Sequence, residues 1–463
     1  MPNRKKCVFL HLFFGRNIGE MECEFAKYGF RRVAALLTAW LLCLVGLLQP
    51  VASRAQGGDS TAREMKDGWV VGAFPTLTYA NTLGFQFGAC GNVFYYGDGS
   101  SYPDFLHKFS FEASHFTKGR SRFYLALDSK SLIPSWRVTL SALYIMDPLY
   151  YFYGFNGAAS PYSAAKNDEL YYNVDRAIFQ GFANFQRPLS DRIKVVGGVS
   201  FSNYRLRDYD GDKYGGVGLS TLYRNYVVTG MLDNDERGGG NVLEVRGGMV
   251  YDTRDIEAAP NQGVLLEAFL NSGFSPNHNY LKVCTYFSHF LRIPLGLKPG
   301  DPVFAYRLGW VGNVTGDAPY YIQQSVPMLV PHTMLTEGFG SAKTLRGYYE
   351  NRIVCDGMVW GNFELRVKVL KFTLWNQYFY IALNPFFDCG VVTQPYRFDR
   401  QAAALGEDET HLREVARKPV TSFGIGVKGA WNENFIVSAE VARCTNRALG
   451  DPMWIDLGVN YVF

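Results

Sequence analysis

The sequence predicts an all-β fold: a sixteen-stranded antiparallel transmembrane β-barrel with an inward-folded external loop. Three observations carry this. Apolar and polar residues alternate with period two along most of the chain, as in strands with two unlike faces. The connections between these runs are short at one end and long at the other, which a membrane barrel does and a soluble sandwich has no reason to do. Aromatic residues make up 16% of the chain and glycine supplies 48 positions, while only 19% of residues are charged. That balance suits many short strands with aromatic belts at two interfaces. The net charge of +4 over 463 residues is too small for a nucleic-acid footprint, so no nucleic-acid partner is expected.

The N-terminus reads as a targeting segment. Arg31 and Arg32 precede an apolar run at 33–48 broken only by Thr38 and Gly46. Pro50 and the small-x-small pattern Ser53-Arg54-Ala55 follow. Residues 1–55 are therefore expected to be a signal peptide cleaved after Ala55, with Met21 as an alternative start. Residues 56–68 would be a short periplasmic segment and 69–463 the barrel. Cys90, Cys284, Cys355, Cys389 and Cys444 remain after cleavage. Their number is odd and no pair has metal spacing, so neither a disulfide scaffold nor a metal centre is expected.

The expected strands are 69–79, 83–97, 104–116, 120–129, 134–146, 168–187, 191–206, 240–254, 262–273, 278–293, 302–315, 353–369, 372–392, 418–430, 433–446 and 453–463. Tight turns are expected near Val369-Leu370-Lys371 and Trp431-Asn432-Glu433. The long connections 207–239, 316–352 and 393–417 fall on the opposite, external side, with a short helix expected at 401–415.

The stretch 340–352 is too polar for a core strand and too long for a tight turn. Its centre is Leu345-Arg346-Gly347-Tyr348. An arginine keeps its charge, so a buried Arg346 needs acids. Glu364 shares a strand face with Asn362, Arg366 and Lys368, and Asp388 shares one with Asn384. In a closed barrel both carboxylates point into the lumen, where the loop can fold to meet them. The last strand places Ile455, Leu457, Val459, Tyr461 and Phe463 on one face, suited to lipid with an interfacial aromatic at the end.

Four stretches resemble the BamA/TamA superfamily of bacterial outer-membrane barrels, the surface-antigen type. Asp252, Arg254 and Asp255 are similar to its D-x-R-D segment. Leu345-Arg346-Gly347-Tyr348 resembles its V-R-G-F/Y loop. Phe386-Phe387-Asp388-Cys389-Gly390 is similar to its F-x-D-x-G strand. Asp456, Gly458, Tyr461 and Phe463 match its C-terminal β-signal. The resemblance implies that Arg346 enters the lumen and pairs with Glu364 and Asp388. It also implies that Gly347 allows close backbone approach and that Tyr348 packs beside the guanidinium. Members that insert or secrete proteins carry POTRA repeats ahead of the barrel. Here only about a dozen residues separate the cleavage site from the first strand, so a POTRA-less protein is expected.

Other patterns carry little. Gly424-Ile425-Gly426-Val427-Lys428-Gly429 lacks the strand-turn-helix setting of a nucleotide loop. Asp208-Tyr209-Asp210-Gly211-Asp212 opens like a calcium loop, but Lys213 stands where glycine is required. The histidines form no ligand-spaced pair, and no nucleophile elbow occurs. The expectation is a non-enzymatic protein of the bacterial outer membrane, without cofactors, in contact with lipopolysaccharide and phospholipid. It would assist protein insertion or export alongside other outer-membrane or periplasmic proteins. The alternatives are a structural accessory subunit of a larger complex or a passive channel.

Overall fold

Alternation at period two sends successive side chains to opposite faces, and only a closed sheet can give every strand two bonded neighbours. A computed structural model describes residues 67–463 apart from 81–82, 101–104, 258, 299, 329–337, 375–376, 432–434, 451–452 and 460–463. The expected signal peptide and the β-signal positions Tyr461 and Phe463 lie outside the described residues. Within them the chain forms β1 (Trp69–Ala80), β2 (Gly84–Tyr95), β3 (His107–Phe116), β4 (Ser121–Ile133), β5 (Trp136–Tyr151), β6 (Asn173–Pro188), β7 (Ile193–Arg207) and β8 (Gly239–Asp252). The second half contributes β9 (Gly263–Phe274), β10 (Asn279–Arg292), β11 (Val303–Gly316), β12 (Gly357–Leu374), β13 (Gln377–Gln394), β14 (Val420–Trp431), β15 (Phe435–Cys444) and β16 (Trp454–Val459). Each strand pairs antiparallel with its neighbours in sequence, and β1 meets β16 to close the barrel.

The two faces differ as a membrane barrel requires. On β7, Val199 and Phe201 are exposed while Ser200 and Ser202 are buried. On β13, Phe387 is exposed while Asn384 and Asp388 are buried. Long connections gather at one end: 152–172, 208–238, 317–356 and 395–419.

Three local expectations are corrected. The turn at 369–371 is not a turn: β12 and β13 stay paired through Leu370↔Ile381, Phe372↔Phe379 and Leu374↔Gln377. The register shifts between Lys368 and Leu370, and this bulge turns both Val369 and Leu370 outward. The break in alternation was real, but it marks an extra residue rather than a chain reversal. The segment before β6 is not strand. Residues Ala164–Asp168 form helix α1, started by Ser163, whose side chain accepts from the Lys166 amide. The helix at 401–415 is two helices. Short helices α2 (Gly211–Tyr214), α3 (Leu222–Val228) and α4 (Tyr320–Gln323) lie in earlier loops, and α5 (Phe398–Leu405) and α6 (Glu409–Ala416) follow β13. Gly406, at φ +66°, ends α5, and Asp408 caps the start of α6 by accepting from the His411 amide.

Candidate functional site

The β11–β12 loop crosses the barrel interior and is held at both walls. At the first wall the Arg346 guanidinium is completely buried. Its Nη1 donates to Glu364 Oε1 at 2.6 Å, and its Nη2 donates to Asp388 Oδ1 at 2.7 Å. Its Nε and backbone amide both donate to Asp388 Oδ2, at 2.8 and 3.0 Å. Glu364 is on β12 and Asp388 on β13, on the inward face of each. Their cross-strand alignment sets Asp388 opposite Asn362, one inward position from Glu364. A buried carboxylate has four lone-pair directions to satisfy. Glu364 Oε2 therefore also accepts from Arg366 Nε at 2.9 Å and from Asn384 Nδ2 at 3.1 Å. Glu440 on β15 lies 3.5 Å from Arg346 Nη1 and takes Lys428 Nζ at 2.5 Å. Arg346, Arg366 and Lys428 thus face Glu364, Asp388 and Glu440, and the buried Arg307, bonded to Asn362, adds a fourth cation beside Asp388.

Tyr348 does not pack beside the guanidinium. The ring over Arg346 is Phe386, 3.6 Å from Cζ to the ring centre. Phe386 shares the inward face of β13 with Asn384 and Asp388, which puts it directly under the arginine. Tyr348 turns the other way, and its hydroxyl donates to the Thr421 carbonyl at 2.7 Å. Gly347 between them has φ +87°, a left-handed conformation. A Cβ there would sit 3.3 Å from Ala442 Cβ, Ser422 Cβ and the Cys444 amide. Leu345 is buried in an apolar cluster with Phe339, Trp360 and Tyr286. The loop's start is tied down as well: Asn362 Nδ2 donates to the Thr344 carbonyl, and Arg307 Nη2 to the Lys343 carbonyl.

The same loop reaches the far wall four residues later. β4 and β5 stand across the ring from β12 and β13. Glu350 Oε1 accepts from Arg120 Nη1 at 2.9 Å, and Arg120 Nε donates to Asp147 on β5 at 2.7 Å. Arg352 is fully buried and is satisfied by carbonyls: Leu449 at 2.8 Å, Ser160 at 2.5 Å, Ala448 at 3.1 Å and Gly157 at 3.3 Å. It thereby ties the β5–β6 and β15–β16 loops to the strut. Sequence reasoning singled out one end of this strut and missed the other. Glu350 and Arg352 were visible in the same polar run, but Arg120 and Asp147 are more than two hundred residues upstream.

Above the strut, the long loops interlock. Arg397 Nη1 donates to Glu236, and its Nη2 to Asp317 at 3.3 Å. Burial pushes the Glu236 carboxyl upward against the opposing pull of Arg397. Asp356, at the end of the β11–β12 loop, accepts from Gln323 Nε2, and burial pushes its pKa up to about 6.

Asp252, Arg254 and Asp255 form a separate cluster at the other end. Arg254 grips Asp252 through Nε and Nη2, both at 2.9 Å. Asp255 Oδ1 accepts from the amides of Ile256, Asn261 and Gln262. These bonds shape the β8–β9 connection so that Ala259 packs on Tyr380, Ala382, Ala430 and Ile436, and Asn261 accepts from Lys368 at 3.0 Å. The connection therefore reaches across the mouth of the barrel to the β12–β15 wall. Asp456 and Gly458 lie in β16, with Asp456 opposite both Ala80 and Glu440. The glycine-rich run 424–429 is part of β14, and Asp210 caps α2 by accepting from the Lys213 amide. Among the described residues no group of acids, histidines and cysteines has the arrangement of a metal site.

No protein-family model and no curated protein matches the sequence. Solved structures do match in fold. The crystal structure of BamA from Haemophilus ducreyi lacking POTRA domains 1–3 superposes with a TM-score of 0.53 at 14% identity, over 85% of this chain and 70% of that one. CdiB from Escherichia coli superposes with a TM-score of 0.52 at 8% identity, over 87% of this chain and 64% of that one. The chain thus spans less than two thirds of the CdiB chain. The sixteen-stranded closed barrel of this protein has the fold of BamA and CdiB.

Proposed function

We propose that the chain is a non-enzymatic barrel of the bacterial outer membrane that helps other polypeptides insert into or cross that membrane. The observation that carries this reading is the seam. β1 is paired with β2 along its whole length, from Trp69↔Tyr95 to Ala80↔Gly84. Toward β16, the pairing among the described residues is Tyr79↔Leu457 and Ala80↔Asp456. β16 itself pairs with β15 from Trp454 to Val459. The barrel is thus closed by its two terminal strands, and parting β1 from β16 would free one edge on each. A freed strand edge offers backbone donors and acceptors to an incoming strand. The strut and the β8–β9 closure hold the rest of the wall in shape while that edge is exposed. They also cross the interior and one mouth, which weighs against a passive channel. Partners would be membrane lipid and other outer-membrane or periplasmic proteins.

The test pairs Tyr79→Cys with Leu457→Cys in cells that depend on the protein. Oxidation is expected to lock the seam and arrest maturation or export of other proteins, and reduction to restore it. If client barrels fold normally with the seam locked, and also when the protein is depleted, the insertion reading fails. A structural accessory role, revealed by co-purifying subunits, would then replace it.

A further inference from the structure

On the outward face, at the end opposite the long loops, β4 to β7 enclose an open cleft of about 480 Å³ lined by Ile133, Trp136, Phe185, Val195, Val196 and Gly197. Part of its lining is bare backbone, at Gly197. Gly197 on β7 lies directly opposite Gly247 on β8, and both stand on the outward faces of their strands. Neither has the left-handed backbone that demands glycine. A Cβ at Gly197 would come no closer than 4.0 Å to the Arg246 carbonyl, and one at Gly247 would meet nothing within 4 Å. Nothing inside the protein therefore requires these two positions to be bare. Their neighbours on the same face, Val199 and Phe201 on β7 and Val245 and Met249 on β8, carry the usual exposed apolar side chains. The dent is a feature of the surface that meets lipid.

One cation stands at the rim of the dent. Arg187, exposed and outward on β6, holds its guanidinium over the Trp136 ring, 5.7 Å from the ring centre. Arg192 is exposed in the β6–β7 turn, beside the exposed Asp191. A tryptophan and an arginine at the edge of an apolar band mark headgroup depth.

We propose that this cleft is a binding site for an anionic glycerophospholipid, with one acyl chain laid over Gly197 and Gly247 and the phosphate held by Arg187. The long loops rise from the opposite end of the barrel, so the site belongs to the leaflet on the short-turn side. In the orientation proposed above that leaflet is the periplasmic one, built of phospholipid. The inference rests on a lipid-embedded barrel but not on an opening seam. It stands if the seam experiment fails.

The experiment is native mass spectrometry of the whole barrel released from nanodiscs of phosphatidylglycerol mixed with phosphatidylcholine. The wild type is expected to retain one phosphatidylglycerol in preference to phosphatidylcholine. Gly197→Phe builds into the cleft from a position whose Cβ has room, and is expected to abolish retention while leaving the heat-modifiable fold intact. Arg187→Gln is expected to lower the preference for the anionic lipid about five-fold, the value of one interfacial cation near an anionic headgroup. Retention of both lipids without preference, or retention unchanged by Gly197→Phe, would overturn the proposal. Should Gly197→Phe fail to fold, Gly247→Leu on the neighbouring strand gives the same reading.

Discussion

Asp388 holds Arg346 by three bonds, one of them to the backbone. Its Oδ2 accepts from the Arg346 amide at 3.0 Å and from Nε at 2.8 Å, while its Oδ1 accepts from Nη2 at 2.7 Å. A guanidinium alone could swing on its long stem. The amide bond removes that freedom and fixes the main chain of the loop against β13. The pair therefore specifies one loop conformation, which is the better-attested use of buried ions.

Arg346→Ala should leave Glu364 and Asp388 buried with fewer cations. Removing one partner of such a pair costs about 3–5 kcal/mol. The expected result is a lower temperature for the heat-modifiable shift of the purified barrel and faster proteolysis within 338–354. Arg346→Lys keeps the charge but loses the forked geometry, so it should recover only part of the loss. A melting profile unchanged by Arg346→Ala would remove the cluster from any structural role.

The far anchor is tested by a double-mutant cycle on Arg120 and Glu350, which meet at 2.9 Å. Both are buried and share Asp147 through Arg120. A coupling of roughly 0.5–3 kcal/mol is expected for residues in one such network. Unfolding in urea measures it, and additive single losses would show that the loop is held at one wall only.

Gly347→Ala places a side chain at φ +87°, where an L-residue costs roughly 1–2 kcal/mol. The added methyl also presses on Ala442 and Ser422. The variant should lose stability without losing any hydrogen bond of Arg346. Limited proteolysis, read beside the Arg346 variants, separates strain from lost pairing.

Asp356 gives a pH dependence of definite sign. Its folded pKa, about 6, is raised above the ordinary 3.8 because burial disfavours the charged form. The folded protein therefore binds this proton more tightly than the unfolded chain does. The associated stability is complete below about pH 4, falls as pH rises toward 6, and is absent above. Asp356→Asn should raise the unfolding temperature at pH 8 and leave it nearly unchanged at pH 4. Equal effects at both values would show that the carboxyl is ionised throughout.

Strand number, strand faces and the pairing of loops by length were legible because period-two alternation is a local property, written wherever one face meets lipid and the other does not. The bulge at Lys368–Leu370 misled because one extra residue and a chain reversal break alternation in the same way. Asp388 and Glu364 were legible as inward acids by parity, and parity also puts Phe386 on that face. The sequence by itself determined the barrel, the gathering of its long loops at one end, and one end of the strut. Only the tertiary structure decided that Glu350 meets Arg120 across the lumen, that Arg352 is caged by carbonyls of two other loops, and that the β8–β9 turn closes the mouth below. Those contacts join residues far apart in the chain, and the carbonyls in particular belong to every residue alike. No pattern of side chains could announce them before the barrel closed and brought its walls face to face.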